Sequence, residues 1–304
     1  MNPKLIVILG PTATGKSALA VSIAKKNHGE IISADSRQVY TGLNIGTGKI
    51  TKKEMDGVPH HLIDVVTPDT RFSVEEFGKL AREKISEIFS RGNLPILCGG
   101  TGFYIEAITE NISLPRVSPN EVLREKLKTE TAETLFAQLL KLDPARAKSI
   151  DPKNSRRIIR AIEIATAIGK VPPLNLNRSD TKVEPLYETL KIGLTLPPEK
   201  LRKKITIRLF ARMDEGMIGE AKSLHQQGIS WERMDELGLE YRYLAKYLKG
   251  DMTEPEMLKK LETEIWRYAK RQMTWFKRDK SIQWFKPNDE RKIESVVKNF
   301  LINK

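Results

Sequence analysis

The strongest chemical pattern in the sequence is a short loop near its start. GPTATGKS, residues 10–17, fits G-x-x-x-x-G-K-[ST], in which backbone N–H groups converge on phosphate oxygens. Gly10 and Gly15 allow the backbone to curl, Lys16 adds a fixed positive charge, and Ser17 can offer its hydroxyl to Mg²⁺. This phosphate loop predicts phosphate binding, and its sequence leaves open whether the phosphates belong to a nucleotide.

Polar residues at two other predicted strand ends could take part in chemistry. Asp35 closes the run EIISAD, where an aspartate can be a Mg²⁺ partner, a general base or a simple turn cap. Ser36 and Gln38 follow it, and a glutamine amide suits the hydrogen-bonding edge of adenine. Thr101 lies in a glycine-rich turn, which lets a ligand or a backbone approach closely. We expect these residues to face the phosphate loop.

Two predicted helices carry clusters of basic residues. NSRRIIRAIE contains Arg156, Arg157 and Arg160, and YAKRQMTWFKRDK interleaves basic residues with aromatic ones. Either cluster could be an ordinary solvated helix face. The chain has 52 Lys and Arg against 39 Asp and Glu, a formal net charge of +13. Together these features favour contact with a polyanion such as nucleic acid.

The elements that must position these residues alternate between strand and helix. Buried-strand patterns are predicted over residues 4–9, 30–35, 60–66, 94–100 and 189–196. Helical patterns separate them, which predicts an α/β fold with a P-loop NTPase-like parallel sheet flanked by helices. Ligands bind such sheets at the carboxyl ends of the strands. A helicase is disfavoured, because the strand LPILCGG lacks an acidic residue.

The domain organisation follows from a change of pattern near Leu114. The next residues, to about Pro173, are helical and strand-free before a strand pattern returns. We therefore predict an α/β core formed by residues 1–114 and 186–304, with an inserted all-helical lobe over 115–185. Within that lobe, NLNRSDTKVEP has the composition of a mobile linker.

Composition limits several other possibilities. Cys98 is the single cysteine, so an internal disulfide and a cysteine-based zinc site are both excluded. His60 and His61 are adjacent and point apart, so we interpret them as structural. No apolar run approaches the roughly 18 residues that a membrane helix requires. We expect a cytoplasmic monomer that does not contact a membrane.

Several stretches, taken in order, resemble bacterial tRNA dimethylallyltransferases, also called tRNA isopentenyltransferases. They are GPTATGKS, SADSRQVY, LNIGTGK, PHHLIDVV, CGGTGFYIEAI, RRIIRAIE and KRQMTWFKRD. The resemblance runs from about Lys4 to Phe285. It implies transfer of the dimethylallyl group of dimethylallyl diphosphate to N6 of adenosine 37, beside the tRNA anticodon. Diphosphate would be released with the help of Mg²⁺, and the helical lobe would hold the anticodon stem-loop.

The resemblance also implies roles for individual residues. Asp35 would orient the adenine amine and accept its proton, Thr101 would lie at the reacting centre, and Arg208 would neutralise the leaving diphosphate. Ser17 would also hold Mg²⁺. The diphosphate site would comprise Gly10, Pro11, Thr12, Ala13, Thr14, Gly15, Lys16 and Ser17. Contacts to tRNA would come from Asp35, Ser36, Arg37, Gln38, Thr101, Arg124, Asn154, Ser155, Arg156, Arg157, Ile158, Arg160, Gly238, Tyr241 and Arg242.

One stretch departs from the family pattern. Glu240 stands where the family usually has glycine, which puts the expected tRNA contacts around residues 236–244 in doubt. Three alternatives stay open at this point. The chain could prenylate free adenine nucleotides, phosphorylate a small molecule, or bind RNA with a degenerate phosphate loop.

Overall fold

A parallel sheet forms the centre of the fold. The computed structural model of the chain describes residues 3–110, 112, 115, 117–172 and 185–302. The strands are β1 (Lys4–Leu9), β2 (Gly29–Ala34), β3 (His60–His61), β4 (Leu94–Gly99), β5 (Glu188–Leu194) and β6 (Gln283–Phe285). They form one six-stranded sheet in the order β3-β2-β4-β1-β5-β6, and all neighbouring strands are parallel. The predicted α/β class with a parallel sheet is confirmed.

Helices connect the strands and make up most of the rest of the chain. In chain order they are α1 (Lys16–Lys26), α2 (Lys52–Met55), α3 (Val74–Ser90), α4 (Gly102–Thr109), α5 (Glu121–Lys128), α6 (Ala132–Leu142), α7 (Pro144–Ser149), α8 (Ser155–Ile168), α9 (Pro198–Asp214), α10 (Met217–Gln226), α11 (Trp231–Leu237), α12 (Leu239–Leu248), α13 (Glu254–Phe276) and α14 (Glu290–Ile302).

The central strand β1 is apolar on both faces because helices cover both sides of the sheet. Leu5 and Val7 pack in one buried cluster that includes Phe77 from α3. Ile6 and its neighbour two residues on, Ile8, pack in another with residues of α1. Alternate side chains of a strand point to opposite faces, so a strand buried on both sides reads as an unbroken apolar run. This explains why residues 4–9 were predictable as a strand.

The predicted strand over residues 60–66 is wrong beyond its first two residues. β3 contains only His60 and His61. The backbone then turns, with φ of 60° at Leu62 and 54° at Asp64, values that lie in the left-handed region. The sequence pattern also did not predict the strand β6 or the helix α14 that follows it.

The chain is divided into two compact units. One comprises Met1–Asn111 with Val183–Lys304, and the other is Ile112–Lys182. The sequence prediction put these boundaries at residues 115 and 185. The linker predicted over 175–185 lies, apart from its last residue, outside the described residues.

The second unit has a small core of its own. Leu127, Leu135, Leu139 and Ile158, from α5, α6 and α8, are buried together. Asn120, within the predicted cap SPNE, accepts a hydrogen bond from Leu123 N and begins α5. The described residues of this unit contain helices and no strand. Contact with an anticodon arm stays a prediction.

Candidate active site

A cavity of about 310 Å³ is lined by residues that follow three neighbouring strands. Thr12, Lys16 and Ser17 follow β1, Asp35 follows β2, and Gly100 follows β4. The carboxyl ends of these parallel strands meet at one edge of the sheet, where ligands of open α/β folds bind. The expectation that the phosphate loop and Asp35 share one site agrees with this lining.

The phosphate loop has the backbone conformation that its sequence predicts. A Cβ atom at Gly10, which has a φ of 139°, would lie 2.4 Å from the carbonyl oxygen of Leu194. Ala13 and Gly15 have φ values of 62° and 90°, the left-handed turns from which anion-binding nests are built. The hydroxyl of Thr14, a buried residue, donates to Pro11 O at 2.9 Å and closes the loop internally.

Lys16 lines the cavity, so the pKa of its ammonium group depends on whether an anion is bound beside it. Its ammonium donates to Pro11 O at 2.7 Å. Burial lowers the pKa of Lys16 to about 8, with a further lowering by Arg208 that Asp35 opposes. A bound polyphosphate would favour the charged form and raise this pKa again.

Two arginines of α9 point into the same cavity. Arg208 Nη2 donates to Gly48 O at 2.9 Å, and its Nη1 lies 3.4 Å from Thr12 Oγ1. Arg212 Nη1 donates to Gly46 O at 2.7 Å and lies 3.2 Å from a carboxylate oxygen of Glu240. Burial lowers the pKa of Arg208, and the charge of Arg212 lowers it further, yet a guanidinium stays protonated.

The loop that supplies these carbonyl groups is held by one carboxylate. Glu220 accepts the backbone N–H groups of Asn44, Ile45 and Gly46 at 2.8, 2.7 and 2.9 Å. It also accepts the hydroxyl of Tyr241 at 2.6 Å. Tyr241 was a predicted tRNA contact, but its side chain is 1% exposed and supports this loop.

Asp35 and the residues that follow it form a second polar region of the cavity. Asp35 Oδ1 accepts the N–H of Arg37 at 2.8 Å. Ser36 N donates to Thr101 Oγ1 at 3.1 Å, which joins the β2 and β4 strand ends. Gln38 Nε2 lies 3.3 Å from Gly48 O. The structure therefore brings the predicted residues Asp35, Ser36, Gln38 and Thr101 together.

Several residues of the helical unit that were predicted to contact tRNA are buried or already bonded within the unit. Glu163 is buried and accepts charged hydrogen bonds from Arg124, at 3.0 Å, and from Arg160. Ile158 is fully buried. Asn154 accepts a hydrogen bond from Arg157 N at 3.1 Å and begins α8.

Other predicted tRNA residues are open to solvent or line the cavity. Arg156 and Arg157 are exposed on α8, beside Ser155, its first residue. Gly238 and Arg242 line the cavity, and Arg242 Nε donates to Asp235 at 2.7 Å. Sequence reasoning missed Arg212 and Gln272, which also line it.

The oxygen ligands at the cavity suit a Mg²⁺ ion coordinated by few protein groups rather than a metal coordinated entirely by side chains. Ser17 and Asp35 line the same cavity and offer the hard oxygen ligands that Mg²⁺ prefers beside phosphates. The described residues contain no group of three or more His, Cys, Asp or Glu that could hold a metal. His60 Nδ1 contacts Val58 O at 2.8 Å, and His61 Nε2 contacts Glu30 at 2.6 Å, as expected of structural histidines.

Fold and cavity together define a P-loop α/β protein with a polar cavity beside its phosphate loop. The IPP transferase family model matches residues 38–279. The chain is 40% identical to the tRNA dimethylallyltransferase of Anoxybacillus flavithermus, over 99% of this chain and 96% of that protein. The chain belongs to the IPP transferase family, and the resemblance seen in the sequence is confirmed.

Solved structures agree with this assignment. The tRNA isopentenylpyrophosphate transferase of Bacillus halodurans is 39% identical, with a TM-score of 0.73 over 98% of this chain and 96% of that one. A eukaryotic dimethylallyltransferase acting on tRNA is 25% identical, with a TM-score of 0.84 over 99% of this chain and 80% of that one. Among the described residues, no helix has both the length and the apolar composition needed to cross a bilayer.

Proposed function

We propose that this chain transfers the dimethylallyl group of dimethylallyl diphosphate to N6 of adenosine 37 in tRNA and releases diphosphate. One observation carries the proposal: residues of the phosphate loop, the two arginines of α9 and Asp35 with its neighbours line a single cavity. The first two suit a diphosphate leaving group, and the third suits an amine acceptor. The names of the relatives support the same reaction.

The leaving-group side supplies positive charge where negative charge develops. As the bond between the allylic carbon and the diphosphate oxygen breaks, charge accumulates on the released diphosphate. Lys16 and Arg208 lie at the cavity, and Arg208 is held by a neutral carbonyl group, so it keeps its net charge. Fixed cations in a partly desolvated site stabilise such charge strongly. When bound, Mg²⁺ would neutralise further phosphate charge beside Ser17.

The acceptor side has to orient a weak nucleophile. The lone pair of an exocyclic adenine amine is delocalised into the ring, so placement against the allylic carbon matters more than base strength. Asp35 would accept a hydrogen bond from the amine and take its proton after the new N–C bond forms. The hydroxyl of Thr101 bonds Ser36 and so fixes this side of the cavity.

The acceptor is proposed to be a base in an anticodon loop. Such a base is already single-stranded, so turning it into a cavity costs only part of the energy of opening a duplex. The net charge of +13 and the exposed Arg156 and Arg157 suit contact with an RNA backbone. Because the proposed acceptor is tRNA, we expect the chain to act in the cytoplasm, and we expect a monomer.

A competition between acceptors tests the proposal. Purified chain is supplied with Mg²⁺ and labelled dimethylallyl diphosphate, together with either unmodified tRNA or AMP. We expect label in tRNA, and mass analysis of its nucleosides should identify N6-dimethylallyladenosine. Preference for AMP would indicate an enzyme of free nucleotides, ATP-dependent phosphorylation would indicate a kinase, and salt-sensitive tRNA binding without product would indicate an RNA-binding protein.

A further inference from the structure

We propose that Gln272 is a positioning residue that fixes the distance between the two halves of the active site. This inference rests on the proposed function. Gln272 lies on α13, far along the chain from the loops that it contacts. It is 6% exposed and lines the cavity.

Both ends of the Gln272 amide are used. Its Oε1 accepts the backbone N–H of Thr12 in the phosphate loop at 2.9 Å. Its Nε2 donates to the carbonyl oxygen of Gly100, after β4, at 2.9 Å. A flipped amide would face each partner with a group of the same kind, so these partners select a single orientation.

The glycine-rich turn after β4 is shaped by α13. A Cβ atom at Gly100 would lie 2.4 Å from Gln272 Nε2, and one at Gly102 would lie 2.3 Å from Trp275 Cδ1. Real Cβ atoms essentially never approach other atoms so closely. The sequence suggested that these glycines admit a ligand or a backbone, and the structure shows the side chains of α13 in that space.

The two partners of Gln272 belong to opposite sides of the proposed reaction. Thr12 Oγ1 lies 3.4 Å from Arg208, the cation proposed for the leaving diphosphate. Gly100 precedes Thr101, whose hydroxyl accepts the N–H of Ser36. One side chain therefore links the leaving-group side to the acceptor side. Since a displacement of about 1 Å can cost about a hundredfold in rate, loss of this link should lower turnover more than binding.

Two near-isosteric variants test the link. Gln272→Met removes both hydrogen bonds, and we expect kcat to fall about 10- to 100-fold with little change in KM for either substrate. Calorimetry with magnesium diphosphate should give a Kd within about threefold of the unsubstituted chain. Gln227→Met is the control, because Gln227 is exposed just after α10 and its side chain donates to Ser223 of that helix, away from the cavity.

A pH series separates positioning from simple stabilisation. The carboxyl group introduced by Gln272→Glu can accept from Thr12 N at any pH, but it can donate to Gly100 O only when protonated. The kcat of this variant, divided by that of the unsubstituted chain, should therefore rise at least about threefold from pH 8 to pH 6. A merely structural role would not give a ratio that depends on pH.

The outcomes distinguish this inference from the proposed function. Absence of prenylated tRNA with the unsubstituted chain would remove the proposed function. Hydrogen exchange would then test whether Gln272 holds the phosphate loop. Gln272→Met should speed exchange of the backbone amides of residues 10–17 at least about tenfold. Unchanged exchange overturns the link, as does a kcat for Gln272→Met that matches Gln227→Met. If Gln272→Met fails to fold, a pH-independent ratio for Gln272→Glu overturns it.

Discussion

Two arginines of the cavity and two of the helical unit have different partners. In the cavity, Arg208 and Arg212 donate to the carbonyl oxygens of Gly48 and Gly46. In the helical unit, Arg124 and Arg160 donate to the carboxylate of the buried Glu163. The two α9 arginines therefore donate to neutral carbonyl groups, whereas Arg124 and Arg160 share one buried carboxylate.

The difference separates a cation available to a ligand from a cation used by the fold. A carbonyl oxygen fixes a guanidinium without cancelling its charge, so Arg208 keeps a net charge for an incoming anion. The buried carboxylate of Glu163 offsets one of the two positive charges, and Glu121 lies 3.3 Å from Arg124, so ion pairs tie Arg124 and Arg160 to the helical unit. Arg212 has partners of both kinds, because it donates to the carbonyl oxygen of Gly46 and also lies 3.2 Å from the carboxylate of Glu240.

The largest effect on the rate of prenyl transfer is expected from removing Arg208, the arginine that donates to the carbonyl oxygen of Gly48. Arg208→Ala should lower the single-turnover rate of prenyl transfer about a thousandfold, since it removes a fixed cation from the developing diphosphate. Arg202→Ala, at an exposed position of the same helix, should leave the rate near that of the unsubstituted chain. Equal losses in the two variants would contradict the assignment of Arg208.

The acceptor side should respond in turnover rather than in affinity. Asp35→Ala is expected to lower kcat about a hundredfold, because the proton acceptor and orienting group is lost. The tRNA can still bind, so its Kd, measured by filter binding, should change little. Asp251→Ala, at an exposed aspartate, is the control. A large rise in Kd with unchanged kcat would assign Asp35 to binding instead.

In the helical unit, the expected loss is one of stability. Glu163→Gln should lower the free energy of unfolding of this unit by about 3 kcal/mol, because two arginines lose a buried counter-ion. Hydrogen exchange over residues 117–172 measures the change. Magnesium diphosphate binding should be unaffected, and Glu133→Gln, at an exposed glutamate, is the control. Weakened diphosphate binding by Glu163→Gln alone would contradict the division between the two groups of arginines.

The pH dependence of this unit follows from the same group. Burial alone would raise the pKa of Glu163, but hydrogen bonds from Asn120 N, Arg160 and Arg124 outweigh burial and lower it. Stabilisation by a carboxylate with a lowered pKa is complete above its unfolded pKa of about 4.3 and is lost as the pH falls through the folded value. Hydrogen exchange over residues 117–172, measured as the pH is lowered, should show this loss of stability in the unsubstituted chain and not in Glu163→Gln.

The smallest effect is expected at an exposed arginine. Arg157→Ala should weaken tRNA binding about threefold at moderate salt and reduce the salt slope by about one, without changing kcat at saturating tRNA. Lys84→Ala, on α3, is the control. An unchanged salt slope would indicate that Arg157 does not contact a phosphate.

Local patterns predicted the elements whose structure is set locally. The β1 strand and the phosphate loop follow from an apolar run and a glycine spacing, and both have the expected form. The strand predicted over 60–66 failed because residues with left-handed backbone conformation interrupt it, and the apolar pattern of HHLIDVV does not reveal them. Boundaries of this kind depend on packing with other segments.

The parts of the site that the residues alone did not indicate are those placed by long-range contacts. Gln272 meets the phosphate loop 260 residues away in sequence, and Arg212 meets Gly46 across 166. No local spacing encodes such pairs. Arg208 was predicted only because the chain resembles a known family, which is a source of information different from its own pattern.

The position of β1 in the sheet has a consequence for the growing polypeptide. β1 is flanked by β4, which precedes the helical segment, and by β5, which follows it. A nascent chain that ends before residue 188 would therefore leave the phosphate-loop strand as an unprotected edge, open to pairing with other chains. Premature termination in this interval would leave that edge of β1 uncovered, whereas synthesis through β5 covers it and synthesis through β6 covers part of β5.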